Sequence, residues 1–365
     1  MDQKLKDKLI QRKEEGTLRS LSSFSGMIDF QSNDYLGLAK VQVLSDETSF
    51  GATGSRLISG TSEIALETEQ FIATYFNSPA SLFFNSGYDA NLGFFGAVPQ
   101  RGDTVLFDEE IHASVRDGLR LSFAKSYSFK HNDVQDLQRL LQRIQGTCYV
   151  AVESLYSMSG DIAPLMEIIP LCESHGAYLV VDEAHAAGSL GAKGKGVCFE
   201  LGIEERVFAR LITFGKSFGS HGAAYLCSND MREYLINYAR SFIYSTALPP
   251  QIYERITELL RRDDLGKRRV QLQENIRCFR TNIPSEYLMS SVDSPIQSLR
   301  FDGVEELIRI HRLCLSEGFA VKAVFSPTVQ KGKECLRINL RADHSLLEIQ
   351  NLCELLMRNG PSYAL

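Results

Sequence analysis

Apolar residues recur along this chain with two different periods, and the changes between them mark its elements. Near the start, Leu5, Leu9 and Ile10 fall on one face of a helix over residues 4–13, with Gly16 as its stop. The serines between Ser20 and Ser25 read as a loop. From Ile64 to Tyr75, positions 64, 68, 71, 72 and 75 follow helical spacing when the methyl of Thr68 is counted, and Ser62 stands before them as an N-cap. The middle of the chain alternates helical stretches with short apolar runs. These are Ser81–Phe84, Thr104–Phe107, Cys148–Val152, Tyr178–Val181, Arg210–Thr213 and Ala223–Cys227. That rhythm predicts an α/β domain with a largely parallel sheet.

The rhythm changes at Leu248-Pro249-Pro250. Residues 251–280 are a charged helical stretch. A strand-like Gln297–Phe301 follows, then a helix with Val304, Leu307, Ile308, His311 and Leu315 on one face, then a strand-like Cys335–Leu340. This pattern predicts a smaller α+β domain. The expected division is an N-terminal arm over 1–35, a large domain over 36–248 and a small C-terminal domain over 249–365.

Composition narrows the function classes. The 365 residues carry 39 Lys and Arg against 45 Asp and Glu, a net charge of -6, which argues against a partner of nucleic acid or of an anionic membrane. No apolar run approaches the roughly 18 residues of a membrane span. The first residues are charged throughout, unlike a secretory leader. Eight cysteines, none in a CxxC pair, read as reduced thiols of a cytoplasmic protein and give no metal-ligand spacing.

Two strings imitate nucleotide-hydrolase motifs. Gly215-Lys216-Ser217 looks like the end of a phosphate-binding P-loop, and Asp182-Glu-Ala-His185 looks like a helicase box. A P-loop needs a glycine five residues before its last one, and Arg210 stands there. The acidic string also precedes the lysine instead of following it. A different chemistry accounts for both. Asp182 ends an apolar strand, where open α/β sheets bind ligands. Lys216 follows 34 residues later, beyond another short strand and between Gly215 and Gly219. Each alone reads as a helix cap or a loop lysine. Together they suit pyridoxal phosphate: the lysine holds the cofactor as a Schiff base, and the acid pairs with the pyridine nitrogen. Asn85–Asn91 follows a strand and opens a helix, and Gly87 lets backbone amides approach a phosphate there. His112 is a candidate to lie on the ring.

At these residues the chain resembles the α-oxoamine synthase family of pyridoxal-phosphate enzymes. The matching strings are Asn33–Ala39, Gly54–Gly60, Ser157–Asp161, Asp182–His185, Thr213–Lys216 and Tyr244–Pro250, in order and across nearly the whole chain. The resemblance implies the aminotransferase-like fold type I, with a mostly parallel sheet in the large domain and a smaller α+β domain. It implies a homodimer and a decarboxylative condensation of an amino acid with an acyl thioester of coenzyme A or a carrier protein. Lys125–Leu140 and Phe242–Pro250 lean toward the member of the biotin pathway that joins L-alanine to a pimeloyl thioester. Glycine with acetyl-CoA, and serine with a long acyl thioester, stay as alternatives.

Carried over by motif, Lys216 resembles the Schiff-base lysine, Asp182 the pyridine partner, His112 the stacked residue and His185 the contact to the ring oxygen. Gly87, Tyr88 and Thr213 resemble phosphate contacts, Ser157 a cofactor neighbour, and Ser245 and Thr246 phosphate contacts from the second subunit. Arg19, Asn33, Thr328 and His112 resemble substrate contacts, and Arg337 the arginine that grips the amino acid carboxylate. Between Ala39 and Gly51 the chain is shorter than the family pattern.

Overall fold

Seven strands build the central sheet of the computed structural model, which describes residues 2–14, 17–18, 21–43 and 49–360. In chain order they are β1 (Ala80–Phe84), β2 (Thr104–Asp108), β3 (Lys125–Phe129), β4 (Cys148–Glu153), β5 (Tyr178–Asp182), β6 (Ala209–Thr213) and β7 (Ala223–Cys227). Their spatial order is β1-β7-β6-β5-β4-β2-β3. Strands β2 to β6 run parallel, and β7 is antiparallel to both of its neighbours. All six strands expected from apolar runs form. The seventh, β3, carried no such signal because its first four residues are exposed at the sheet edge.

Both faces of the sheet are covered, as parallel sheets require. Along β4, Val150 and Val152 enter one apolar cluster while Tyr149 and Ala151 enter another on the opposite face. The first of these clusters continues without a break into a second, smaller sheet, where Leu336 and Ile338 join it. That sheet is antiparallel and contains β8 (Ile296–Arg300), β9 (Lys322–Val324) and β10 (Cys335–Asn339), with β10 in the middle. Residues near the N-terminus reach this region and form a separate two-stranded sheet there. Ile28–Asp29 pairs with Phe319–Ala320, Asn339 donates to the carbonyl of Phe30 at 2.8 Å, and Ala342 to that of Tyr35 at 2.8 Å.

The helices follow the sequence expectations with shifts of face. Glu63–Tyr75 starts at Ser62, whose hydroxyl accepts from the amide of Ala65. Its buried residues are Ala65, Thr68, Glu69, Ile72 and Ala73, because Glu69 turns inward to pair with Arg56 at 2.8 Å and Arg232 at 2.8 Å. The charged stretch is two helices, Pro250–Leu260 and Leu265–Asn282; Pro250 opens the first of them, where its missing N–H costs nothing. In Val304–Ser316 the buried positions are Leu307, Ile310 and Cys314, so the stripe is rotated from the one expected through Leu307 and His311. Gln3–Glu14 forms a helix with no buried residue, which leaves Leu5, Leu9 and Ile10 about half exposed. Gly16 and Ser20 lie outside the described residues, as do residues 44–48 of the shortened segment. All eight cysteines are unpaired. Among the described residues no helix is long and apolar enough to cross a membrane.

Candidate active site

The parallel strands β2, β4, β5 and β6 end at one edge of the sheet, and each ends on a polar residue: Asp108, Glu153, Asp182 and Thr213. A cavity of about 300 Å³ opens at this edge. Its wall brings together Gly87, Tyr88, His112, Asp182, His185, Thr213 and Lys216, with Asn91, Ser114 and Glu153 beside them.

Local chemistry places each group. Ser86 caps the helix Gly87–Ala97, its hydroxyl accepting from the amide of Asp89 at 3.0 Å. A Cβ on Gly87 would lie 2.7 Å from Cγ2 of Thr213, so only glycine allows the first turn of this helix so close to the end of β6. That approach leaves a helix N-terminus open to an anion at the cavity wall. His112 caps the next helix, Ala113–Leu121, with Nδ1 2.7 Å from the hydroxyl of Ser114. Lys216 sits in the turn after β6. The turn closes at Gly219, which has a φ of +54° and whose Cβ would strike the amide of Ala39 at 2.2 Å.

Asp182 accepts from the side-chain amide of Asn91 at 2.9 Å through one oxygen and from the amide of Ala184 at 2.9 Å through the other. Tyr225 holds Asn91 from behind, donating to its Oδ1 at 2.6 Å. Glu153 lies in register beside Asp182 on the neighbouring strand, and its Oε1 is buried with no partner. Burial and the adjacent Asp182 charge push the Glu153 carboxyl well above its ordinary value. Burial pulls the Lys216 amine down from 10.5 to about 8 against the opposing pull of Asp182 and Glu153. Burial likewise lowers His112, and lowers His185 further, with the Lys216 charge acting in the same direction on both. The cavity therefore holds neutral imidazoles and a lysine poised to lose its proton near neutral pH.

The remaining expected residues lie off the cavity wall. Arg337, 6% exposed in the middle strand of the small sheet, donates through Nε to the carbonyl of Ser157 at 2.6 Å and through Nη2 to Oδ1 of Asn33 at 3.0 Å. Asn33 also accepts from the hydroxyl of Tyr35 at 3.2 Å, and that hydroxyl lies 2.7 Å from Nδ1 of His185. One hydrogen-bonded chain thus joins Arg337 to the cavity. Thr246 is exposed, and its carbonyl accepts from Asn85 at 2.7 Å, just ahead of the helix at Gly87. Ser245 is half-buried beside it. Thr328 is in an exposed turn after β9. Arg19 lies outside the described residues.

Three residues gained no role from the sequence. Asn91 and Tyr35 stand inside strings quoted above, but nothing in their spacing shows that they would turn toward Asp182 and His185. Glu153 did carry a signal: it ends an apolar strand as Asp182 does, one strand away.

The site fits pyridoxal phosphate. The Gly87 cradle at a helix N-terminus suits a phosphate, the Asp182 carboxylate suits a protonated ring nitrogen, and the buried Lys216 amine suits a bond to an aldehyde carbon.

Comparison with known proteins agrees. The family model for aminotransferase class I and II matches residues 25–356. A curated relative from Emericella nidulans, named 8-amino-7-oxononanoate synthase, is 39% identical over 96% of this chain and 93% of its own. Among solved structures, Sphingomonas wittichii serine palmitoyltransferase superposes with a TM-score of 0.89 at 28% identity, over 99% of this chain and 98% of its own. An 8-amino-7-oxononanoate synthase from Francisella tularensis superposes with a TM-score of 0.78 at 30% identity, over 91% of this chain and 97% of its own.

Proposed function

This chain belongs to the aminotransferase class I and II family, within its α-oxoamine synthase branch, and on that premise we propose that it joins L-alanine to a pimeloyl thioester. The reaction releases CO2 and the free thiol and gives 8-amino-7-oxononanoate, a step of biotin biosynthesis. The observation that carries this reading is the 39% identity, over 96% of the chain, to a relative bearing that product's name. Serine palmitoyltransferase structures superpose more closely, which keeps serine with a long acyl thioester as the second reading.

Pyridoxal phosphate, when bound, supplies an electron sink for the amino acid Cα. The chain's own residues do the rest. Gly87, Tyr88 and Thr213 hold the phosphate end, and Asp182 faces the pyridine nitrogen, fixed by Asn91 and Ala184. His112 would lie against the ring and keep water out, while His185, oriented by Tyr35, would serve the ring oxygen. Ser157 holds Arg337 through its carbonyl. Asn33 and Arg337 take the alanine carboxylate, with Arg19 and Thr328 on the acyl side. The amine of Lys216 would take the proton from alanine Cα. Its lowered pKa makes the neutral form available near neutral pH.

A thiol-release assay over alanine, glycine and serine, each with acetyl, pimeloyl and long-chain thioesters, tests the reaction. Alanine with pimeloyl thioester should give the highest kcat/KM. Preference for serine with a long chain would move the chain to the second reading. Running pimeloyl-CoA against a pimeloyl carrier protein assigns the thiol.

The active form in this reading is a homodimer in which Ser245 and Thr246 reach the partner's phosphate. Ser55 bridges to Thr246, which sets Leu57 (52% exposed), Ile58 (86%) and Tyr244 (70%) around that strip. So much apolar surface beside a polar strip suits a subunit interface. Mixing inactive Lys216→Ala chains with inactive Thr246→Asp chains should restore part of the activity, because one of the two composite sites is then intact. A fully active monomer by sedimentation would refute the dimer. The unpaired cysteines support a reducing compartment, the cytoplasm.

A further inference from the structure

His131 bridges two carboxylates behind the cavity wall. Its Nδ1 lies 2.9 Å from Oδ1 of Asp108 and its Nε2 lies 2.8 Å from Oδ2 of Asp161. Carboxylates only accept, so both ring nitrogens carry protons and the ring is an imidazolium. Burial opposes that charge, but the two carboxylates outweigh it and raise the imidazole to about 10. The groups facing it include Asn132, whose side-chain amide lies 3.4 Å from Nε2 and donates to Asp161 at 2.7 Å. Glu109 accepts the His131 backbone N–H at 3.3 Å. Glu110 lies 3.7 Å from the ring and pairs with Lys333 at 2.7 Å. Tyr156 stands edge-on at 4.4 Å between ring centres.

The two bridged carboxylates belong to the loops that carry the site. Asp108 ends β2 and accepts the amide of Glu110 at 2.8 Å, ordering the turn that leads into His112. Asp161 closes the turn 157–161, whose Ser157 carbonyl holds Arg337. That turn is tied in its other direction to the small sheet's side of the molecule: Ser291 donates its amide to Gly160 at 3.1 Å and accepts from the amide of Ile162 at 3.1 Å. We propose that His131 is a positioning residue whose imidazolium fixes the spacing between the His112 loop and the Ser157 turn, and so between the cofactor wall and the carboxylate anchor. The inference rests on the roles proposed above for His112 and Arg337. Without the cation, the buried Asp108 and the partly buried Asp161 keep only neutral donors such as Asn132, nothing offsets their charge repulsion, and the loops separate.

Two holoenzyme variants test it, His131→Gln and Asp161→Asn, by visible circular dichroism of the bound cofactor and by kcat and KM for L-alanine. His131→Gln should change the cofactor's dichroism, raise KM and lower kcat, with kcat/KM falling about tenfold to a hundredfold. Asp161→Asn keeps the shape of the bridge but removes one of the two charges that hold the proton. Its dichroism should shift with rising pH, and its kcat/KM should gain an alkaline fall below pH 10. The double variant, which lacks the imidazole, should show neither. A residue that served only stability would produce no such limb. If His131→Gln does not fold, Asp161→Asn decides the question. Asp161→Asn with the dichroism, KM and pH profile of the unaltered enzyme would overturn the proposal. Failure of the unaltered enzyme to release thiol with L-alanine would overturn the proposed reaction instead. The dichroism comparison needs only bound cofactor and would still judge the bridge.

Discussion

Lys216→Ala is expected to lose turnover by about 10³-fold or more while still binding pyridoxal phosphate. The loss is large because one amine serves two purposes, holding the cofactor and moving the Cα proton, and general-base catalysis alone is worth about 10²- to 10⁴-fold. Binding survives because the helix N-terminus at Gly87 and the Asp182 carboxylate do not depend on the lysine. Borohydride reduction of the unaltered enzyme followed by peptide mapping should place the adduct on Lys216. A label on any other lysine would show that the cavity has been assigned the wrong residue. The lysine also fixes a pH dependence. Its amine must be neutral to capture the cofactor, so the capture rate of the cofactor-free protein should climb through pH of about 8 and level off above it. The stability effect has a definite sign as well. Between about 8 and 10.5 the unfolded chain binds more protons at this position than the folded one, so the cost of burying Lys216 is full below that window and fades as pH rises across it. Cofactor-free Lys216→Met should therefore melt above the unaltered protein at pH 7, with the gap closing toward pH 10.5.

Arg337→Lys is expected to lower kcat/KM for L-alanine about 30- to 1000-fold, which corresponds to roughly 2–4 kcal/mol. The guanidinium already spends Nε on Ser157 and Nη2 on Asn33, which fixes its plane. An ammonium has neither the fork nor the reach to replace both anchors and still grip the ligand. Both KM and kcat should suffer, because the grip would also set the orientation of the amino acid's Cα bonds. Arg341→Lys is the control. Arg341 pairs with Asp343 and, at 3.5 Å, with Asp29, so its loss should show in melting temperature and leave the alanine parameters alone. Unchanged alanine kinetics in Arg337→Lys would put the carboxylate anchor elsewhere.

Much of this architecture was legible along the chain. Apolar runs placed six of the seven strands, because a strand buried on both faces must be apolar along its length. β3 was missed because it lies at the sheet edge with its first four residues in solvent. Helix faces were legible less well. In Glu63–Tyr75 the ion pairs of Glu69 draw a charged residue inward, and no hydrophobic period records an attraction to an arginine 163 positions away.

The same division holds for the site. The sequence determined its chemistry: Asp182 and Lys216 follow strands, a glycine opens a helix, and the spacing of such residues is local and written in the chain. Only the tertiary structure decided how those groups are tuned. Asp182 is held by Asn91 and Asn91 by Tyr225, residues 91 and 134 positions apart. Arg337 reaches the cavity through Asn33, 304 positions away, and through Tyr35. The Glu153 carboxyl rises, and Lys216 loses affinity for its proton, only because folding places them with Asp182 in one cavity. Coulomb energies and desolvation depend on distance in space and on burial, and neither quantity exists until distant segments meet.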